Sequence, residues 1–192
     1  MIKKRDNMAI NLWVFYAIGY GVAMIVQIWT NKKRGEPFED PELLMSKKFG
    51  FVISLIWLIG GFVISLFVPV NFGLLFYIGL IFCAIGFIIV LFTFYSFAQK
   101  AGLVTSKIHQ YSRNPNYVGW IIFYLGLALI GWSKSIWSVI FFIYFLITIP
   151  YLHWVVLTEE KFLSNKYGDS YKEYLEKTPR YIGKSRTKEH NK

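Results

Sequence analysis

The sequence predicts an all-α fold, a multi-span transmembrane helix bundle of about five spans followed by a C-terminal cytoplasmic amphipathic helix. Three observations predict it. The chain of 192 residues is 55% hydrophobic and 20% aromatic, with a mean hydropathy of +0.43, more apolar than a soluble domain of this size allows. The apolar residues gather into long runs, and about 20 in succession is what a helix needs to cross a bilayer. The runs are apolar all round, without the alternation that a transmembrane barrel requires.

The first run covers 8–29. Lys3, Lys4 and Arg5 precede it, as in a signal peptide, but it is longer than an h-region and no small-x-small cleavage site follows, so it reads as a span. The 30–48 loop, with Pro37, Pro41 and mixed charge, is expected to be ordered only by docking. The second and third runs, 49–68 and 72–97, are joined by a tight turn at Pro69 and Asn71. The fourth, 117–132, is short for a span. The turn Ser133-Lys134-Ser135 joins it to the fifth, 136–157, and the last two spans read as a helical hairpin. Gly79 and Gly86, and likewise Gly119 and Gly126, share one helix face and permit close helix approach.

Beyond the fifth run, Leu163, Tyr167, Tyr171 and Tyr174 recur at helical spacing. Gly168 interrupts them, and Ser170 with Glu173 forms a capping-box pattern. The fifth helix is therefore expected to pass Glu159-Glu160, turn at Gly168 and continue as a short amphipathic helix to about residue 176. This helix is either solvated or a cover over the bundle's mouth. The stretch 183–192 reads as a basic flexible tail, and 1–192 as a single membrane domain.

Charge gives the orientation. Of the 21 Lys and Arg, 17 fall on the side holding the 30–48 loop, the 98–116 loop and the C-terminal segment. The positive-inside rule puts that side in the cytoplasm, as in a multi-pass protein of the cell (inner) membrane. The net charge of +10 then reads as a basic face over anionic lipid. Its dispersal along membrane-flanking loops argues against nucleic-acid binding. The lone Cys83 excludes an intrachain disulfide and a multi-thiolate metal site, and no metal ligands are assigned. The absence of a visible repeat gives no support to an inverted-repeat transporter.

The chemistry-bearing residues sit at one membrane face. Arg113 opens the fourth run and Glu159-Glu160 closes the fifth. Charges against the hydrocarbon edge are expensive and mark functional sites, although an edge Arg is commonly a snorkelling anchor. A Pro-Asn-Tyr at a helix entry is commonly an N-terminal turn. Together they make a candidate site for a charged cofactor beside a lipid-soluble substrate.

The segments Leu103-Val104-Thr105-Ser106, Arg113-x-Pro115-x-Tyr117-x-Gly119, Glu159-Glu160 and Tyr167-Gly168-x-x-Tyr171-x-x-Tyr174 resemble the isoprenylcysteine carboxyl methyltransferase family and its phospholipid methyltransferase relatives. The resemblance covers 99–182. It implies a membrane methyltransferase that uses S-adenosylmethionine on a lipophilic or amphiphilic acceptor: a lipid amine, thiol or carboxylate. It implies catalytic roles for Arg113, Glu159 and Glu160, and cofactor-binding roles for Gln99, Leu103, Val104, His109, Asn114, Pro115, Asn116, Tyr117 and Glu159. Three departures stand out. The family's His is Asn114 here, and the family Tyr six residues after Leu103 is His109. The Arg that holds the substrate carboxylate in prenylcysteine enzymes is missing from the stretch 153–158.

The chemistry suits these residues. A carboxylate such as Glu159 matches an ammonium or ribose hydroxyls, and Arg113 or helix N-terminal amides match a carboxylate. Tyr117 and Trp120 can stack on adenine or face a sulfonium. Methyl transfer needs positioning and water exclusion. An amine acceptor must also lose a proton, with His109 or His153 as acceptors. Two alternatives remain at this stage: a membrane NAD(P)H-dependent sterol or steroid reductase, suggested by Asn116-Tyr117-x-Gly119, and a non-enzymatic protein on the same scaffold.

Overall fold

A computed structural model of the protein describes residues 10–34 and 47–183. Most of the 30–48 loop, and the tail apart from Gly183, lie outside the described residues. Six α-helices follow in order: α1 (Trp13–Arg34), α2 (Lys47–Phe67), α3 (Leu74–Ala98), α4 (Pro115–Ile130), α5 (Ile136–Tyr167) and α6 (Asp169–Lys177). A 3₁₀ turn, Lys107–Gln110, lies between α3 and α4. Among the described residues no strand forms. The protein is an integral membrane helix bundle, and four of its helices, α1, α2, α3 and α5, are long and apolar enough to cross a bilayer.

α1 begins later than the apolar run suggests. Ile10 to Leu12 are not helical because they bond to the α2–α3 turn: Leu12 N donates to Val68 O at 2.9 Å and Val70 N to Ile10 O at 3.0 Å. The Asn11 amide donates to Leu66 O at 2.7 Å. The helix then runs past the apolar stretch to Arg34.

α4 is the short element. Its 16 residues span about 24 Å at 1.5 Å each, less than the roughly 30 Å of a hydrocarbon core. Its larger interface is with α3, not with its hairpin neighbour α5. The four glycines explain this. A Cβ on Gly79 would lie 2.6 Å from Gly126 O, and one on Gly119 would lie 2.8 Å from Gly86 O. The helices touch backbone to backbone at both levels. Gripped by α3 along its length, α4 leaves a recess where its N-terminal approach enters between the longer α3 and α5.

Gly168, at φ 54°, ends α5 and caps α6. This backbone sign favours glycine. The restart therefore comes two residues earlier than the capping-box pattern predicts, and Ser170 lies inside α6. α6 is a cover: Tyr171 and Tyr174 are buried, and Tyr174 Oη donates to His109 O at 2.7 Å.

Gly86→Ala should lower unfolding stability in detergent by about 1–3 kcal/mol, the usual range for overpacking. Its Cβ would meet Phe123 N at 2.5 Å and Gly119 O at 2.6 Å, and backbone cannot step aside. Gly60→Ala, whose Cβ meets nothing within 4 Å, should leave the thermal midpoint unchanged or raise it.

Candidate active site

The loop before α4 is zipped to the segment after α6. Arg113 N donates to Pro179 O at 3.0 Å, and Ser112 Oγ to Arg180 O at 3.4 Å. Arg113 Nη1 bonds Leu175 O at 2.8 Å and Thr178 O at 3.0 Å, satisfying carbonyls at the end of α6. At the centre lies Glu160. Arg113 Nη2 stands 3.1 Å from its Oε1, and Arg180 Nη2 stands 2.9 Å from its Oε2. Asn114 Nδ2 donates to Oε1 at 3.0 Å. The side chains of Arg113 and Glu160 are 10% and 9% exposed. This is a buried carboxylate between two guanidiniums, with hydrogen bonds of the charge-assisted kind. The bond to Glu160 raises the Arg180 pKa. Burial, with the Glu160 charge next, pushes the Tyr171 phenol up.

Glu159, about 100° around the helix from Glu160, faces the other way. Its Oε2 accepts from Tyr117 Oη at 2.7 Å, and it lines two adjoining cavities. The smaller, about 100 Å³, is lined by Leu103, Val104, Phe162, Lys166 and Tyr171 among others. The larger, about 620 Å³, is lined by Asn114, Pro115, Asn116, Tyr117 and Trp120 at its polar end. Glu159, His109, Arg113 and Phe97 line both.

His109 is presented by the 3₁₀ turn. That turn opens with Lys107 at φ 59°, a left-handed conformation costing roughly 1–3 kcal/mol for such a residue. The His109 ring lies 4.9 Å from the Phe97 ring. Burial pushes its pKa down to about 4, partly offset by a backbone hydrogen bond with Arg113. The imidazole is therefore neutral at pH 7. Its Nε2 and the Asn116 Oδ1 are buried without a partner among the described residues.

The structure thus brings together most of the residues singled out from sequence. Leu103, Val104 and His109 reach the smaller cavity; Asn114, Pro115, Asn116 and Tyr117 reach the larger; Glu159 and Arg113 join the two. Gln99 caps the end of α3, exposed and in neither wall. Glu160 lines neither cavity and sits in the clasp. His153 pairs with Tyr181 and is likewise in neither wall. Sequence reasoning missed Phe97, Arg34 and Lys166 in the smaller cavity, and Arg180 as the second partner of Glu160. Arg180 carried no signal, because its role depends on the chain folding back.

A membrane bundle with a polar recess under a C-terminal cover and two cavities meeting at a carboxylate is the class defined so far. Residues 70–170, more than half of the chain, match the model of the phospholipid methyltransferase family, and the chain belongs to that family. It is 36% identical over 78 residues to protein-S-isoprenylcysteine O-methyltransferase of Schizosaccharomyces pombe (strain 972 / ATCC 24843). That stretch is 40% of this chain and 31% of the relative, so the match spans about a third of the relative's length. No solved structure matches the chain.

Two outcomes test the geometry. Glu160→Ala strands the buried Arg113 guanidinium. It should cost about 3–5 kcal/mol, as breaking a buried pair does, read by denaturant unfolding and by faster hydrogen exchange across α6. His109, with a folded pKa of about 4 against roughly 6.5 unfolded, binds its proton more readily in the unfolded chain. Its contribution is fully present above pH 6.5 and is lost as pH falls toward 4. The thermal midpoint should drop between pH 6.5 and 5, and His109→Gln should flatten that drop.

Proposed function

We propose that this protein is a membrane methyltransferase that takes its methyl group from S-adenosylmethionine and passes it to a lipophilic or amphiphilic acceptor. The observation that carries the reading is the position of Glu159 at the junction of the two cavities. Family membership supports the reaction class, and the donor set supports the cofactor. Glu159 suits the ammonium or ribose hydroxyls. Arg34 and Lys166 supply positive charge for a carboxylate, and Phe97, Tyr117 and Trp120 offer faces for adenine or a cation. The partnerless His109 Nε2 and Asn116 Oδ1 call for a polar ligand. The smaller cavity alone falls below the roughly 300–1,000 Å³ of ligand pockets, so a cofactor would extend from it past Glu159, with the acceptor in the remainder of the larger one.

When bound, S-adenosylmethionine supplies an electrophilic methyl group on a sulfonium. The chain's own residues do the rest. Tyr117 fixes the Glu159 carboxylate through a 2.7 Å hydrogen bond. The Glu160 clasp holds α6 over the recess and excludes water, which strengthens each polar contact inside. Asn114 and Arg113 act as positioning residues through Glu160. His109 Nε2 is the atom that would take a proton from a neutral acceptor, whereas a thiolate or carboxylate needs none. On this reading the recess and the C-terminus are cytoplasmic, because the basic side chains gather there.

Isothermal titration of the detergent-purified protein should show binding of S-adenosylmethionine and none of NADPH, the cofactor of the reductase alternative. Glu159→Gln should weaken that binding by about 10- to 150-fold, the loss of a charge-assisted hydrogen bond worth roughly 1.5–3 kcal/mol. The fold should be kept. Unchanged affinity would remove Glu159 from the site.

A further inference from the structure

Tyr117 and Tyr124 both line the larger cavity. They stand seven residues apart on α4, about 10 Å along its axis. Tyr117 belongs to the polar end with Arg113 and Glu159, the charged carboxylate and guanidinium of this wall. Tyr124 marks a deep end without charge. There its hydroxyl bonds that of Tyr20, and its ring lies 5.9 Å from Tyr144. Tyr144 in turn stacks on Trp57 at 4.8 Å. Tyr20 and Trp57, from α1 and α2, also line the cavity.

The direction of the hydrogen bonds here can be worked out. Each phenol has one hydrogen to give. Tyr16 Oη donates its own to Leu58 O at 3.0 Å, because a carbonyl only accepts. The 3.2 Å bond between Tyr16 and Tyr124 therefore runs from Tyr124, and the bond between Tyr124 and Tyr20 runs from Tyr20. The ladder descends from Tyr20 through Tyr124 and Tyr16 to Leu58. It ends on a carbonyl that passes no proton on, so it orients and does not conduct. Its head is the Tyr20 oxygen, with its hydrogen spent and its acceptor capacity kept. The hydroxyls nearby release no hydrogen either: Thr93 Oγ1 donates to Ile89 O and Thr148 Oγ1 to Tyr144 O, both at 2.8 Å, and Tyr144 Oη donates to Trp57 O at 2.9 Å. Ser54 and Tyr151 bond each other at 3.1 Å, with Ser54 at the exposed rim. The unspent donor inside is the Trp57 indole. Its ring is stacked between Tyr144 and Tyr151, and its Nε1 is buried with no partner among the described residues. A buried polar atom left so calls for one.

We infer that this deep end is a binding subsite for an uncharged hydroxyl carried on the hydrophobic part of a ligand, donating to Tyr20 Oη and accepting from Trp57 Nε1. An ammonium or a carboxylate would meet no counter-ion there and would be expensive to place. A ketone or ether oxygen could accept from Trp57 but would set its lone pairs against those of Tyr20. A hydroxyl both donates and accepts. If the ligand is the methyl acceptor, it carries this hydroxyl about 10 Å from its reacting group; that step rests on the methyltransferase reading, and the hydrogen-bond directions do not.

The test is isothermal titration of the full chain in detergent, without S-adenosylmethionine, using 4-hexylphenol and its methyl ether, 4-hexylanisole. The ether keeps the ring and oxygen and lacks the hydrogen. Partition into micelles is common to all variants, so the phenol-to-ether affinity ratio is compared between them. Tyr20→Phe keeps the ring that stacks on Trp120 at 4.7 Å and removes the acceptor. It should lower the ratio at least about five-fold, equivalent to roughly 1 kcal/mol, by weakening the phenol alone. Tyr77→Phe, at an exposed position outside the cavity wall, should keep the wild-type ratio. Trp57→Phe should weaken both probes and leave the ratio as it is, and it decides the matter if Tyr20→Phe fails to fold. A ratio unchanged by Tyr20→Phe, or lowered equally by Tyr77→Phe, overturns the subsite; full affinity of both probes in Trp57→Phe overturns the role of the indole. Parallel titration of the wild type with S-adenosylmethionine keeps the two readings apart. Failure to bind it sinks the methyltransferase reading while the probe ratios still judge the subsite.

Discussion

The polar half of this molecule depends on one buried carboxylate. Glu160 bridges Arg113, which leads into α4, and Arg180, beyond α6. Around that carboxylate the chain's distant segments meet: the loop 111–114, the last turns of α5 and the C-terminal cover. A lone carboxylate so placed beside lipid would be driven toward its neutral form. Here two guanidiniums and the Asn114 amide occupy its oxygens. Pairing of this kind lets charged groups be kept at a membrane edge without snorkelling away.

The clasp separates the roles of two adjacent identical residues. Glu159 and Glu160 differ by one step on a helix, about 100°, and that step sends one carboxylate to the cavities and the other into the protein. Glu159 is bonded by Tyr117, a neutral hydroxyl, and is left facing a space where a ligand can reach it. Glu160 has its lone pairs filled. The short α4 makes both possible. Because its glycines bind it to α3 along its length, its N-terminal approach is drawn in among longer helices, and Arg113, Asn114 and Tyr117 arrive at the level of the Glu pair.

How much of this was legible in sequence follows from the range of each interaction. Helices α2, α3 and α5 were readable because a bilayer demands long apolar runs, a local property. The glycine pairs were readable because their spacing puts them on one face, though the identity of their partner helix was not. The start of α1 was misplaced because Asn11 and Leu12 are recruited by residues near Val68, a contact between segments far apart in the chain. Tyr117, Asn114 and Glu159 were singled out by their resemblance to a family pattern, and they stand in the wall of the larger cavity. Gln99 was drawn from the same pattern and stands outside both cavity walls. Arg180 was invisible, since a tail arginine becomes a buried carboxylate's partner only once α6 has turned back at Gly168.

The distribution of the cavity walls bears on how such a protein could take different acceptors. The Arg113–Tyr117 segment and Glu159, which build the polar end, lie within the stretch that matches the family model. α1 and α2 lie before it and furnish Tyr20, Gly21, Met24, Ser54 and Trp57 to the same cavity. Contacts made by these two helices fall on the bilayer side, where selectivity costs little in stability: a side chain changed at an exposed margin of a helix disturbs neither the α3–α4 seam nor the clasp. Under the methyltransferase reading, acceptor choice can therefore drift at α1 and α2 while the polar end stays fixed.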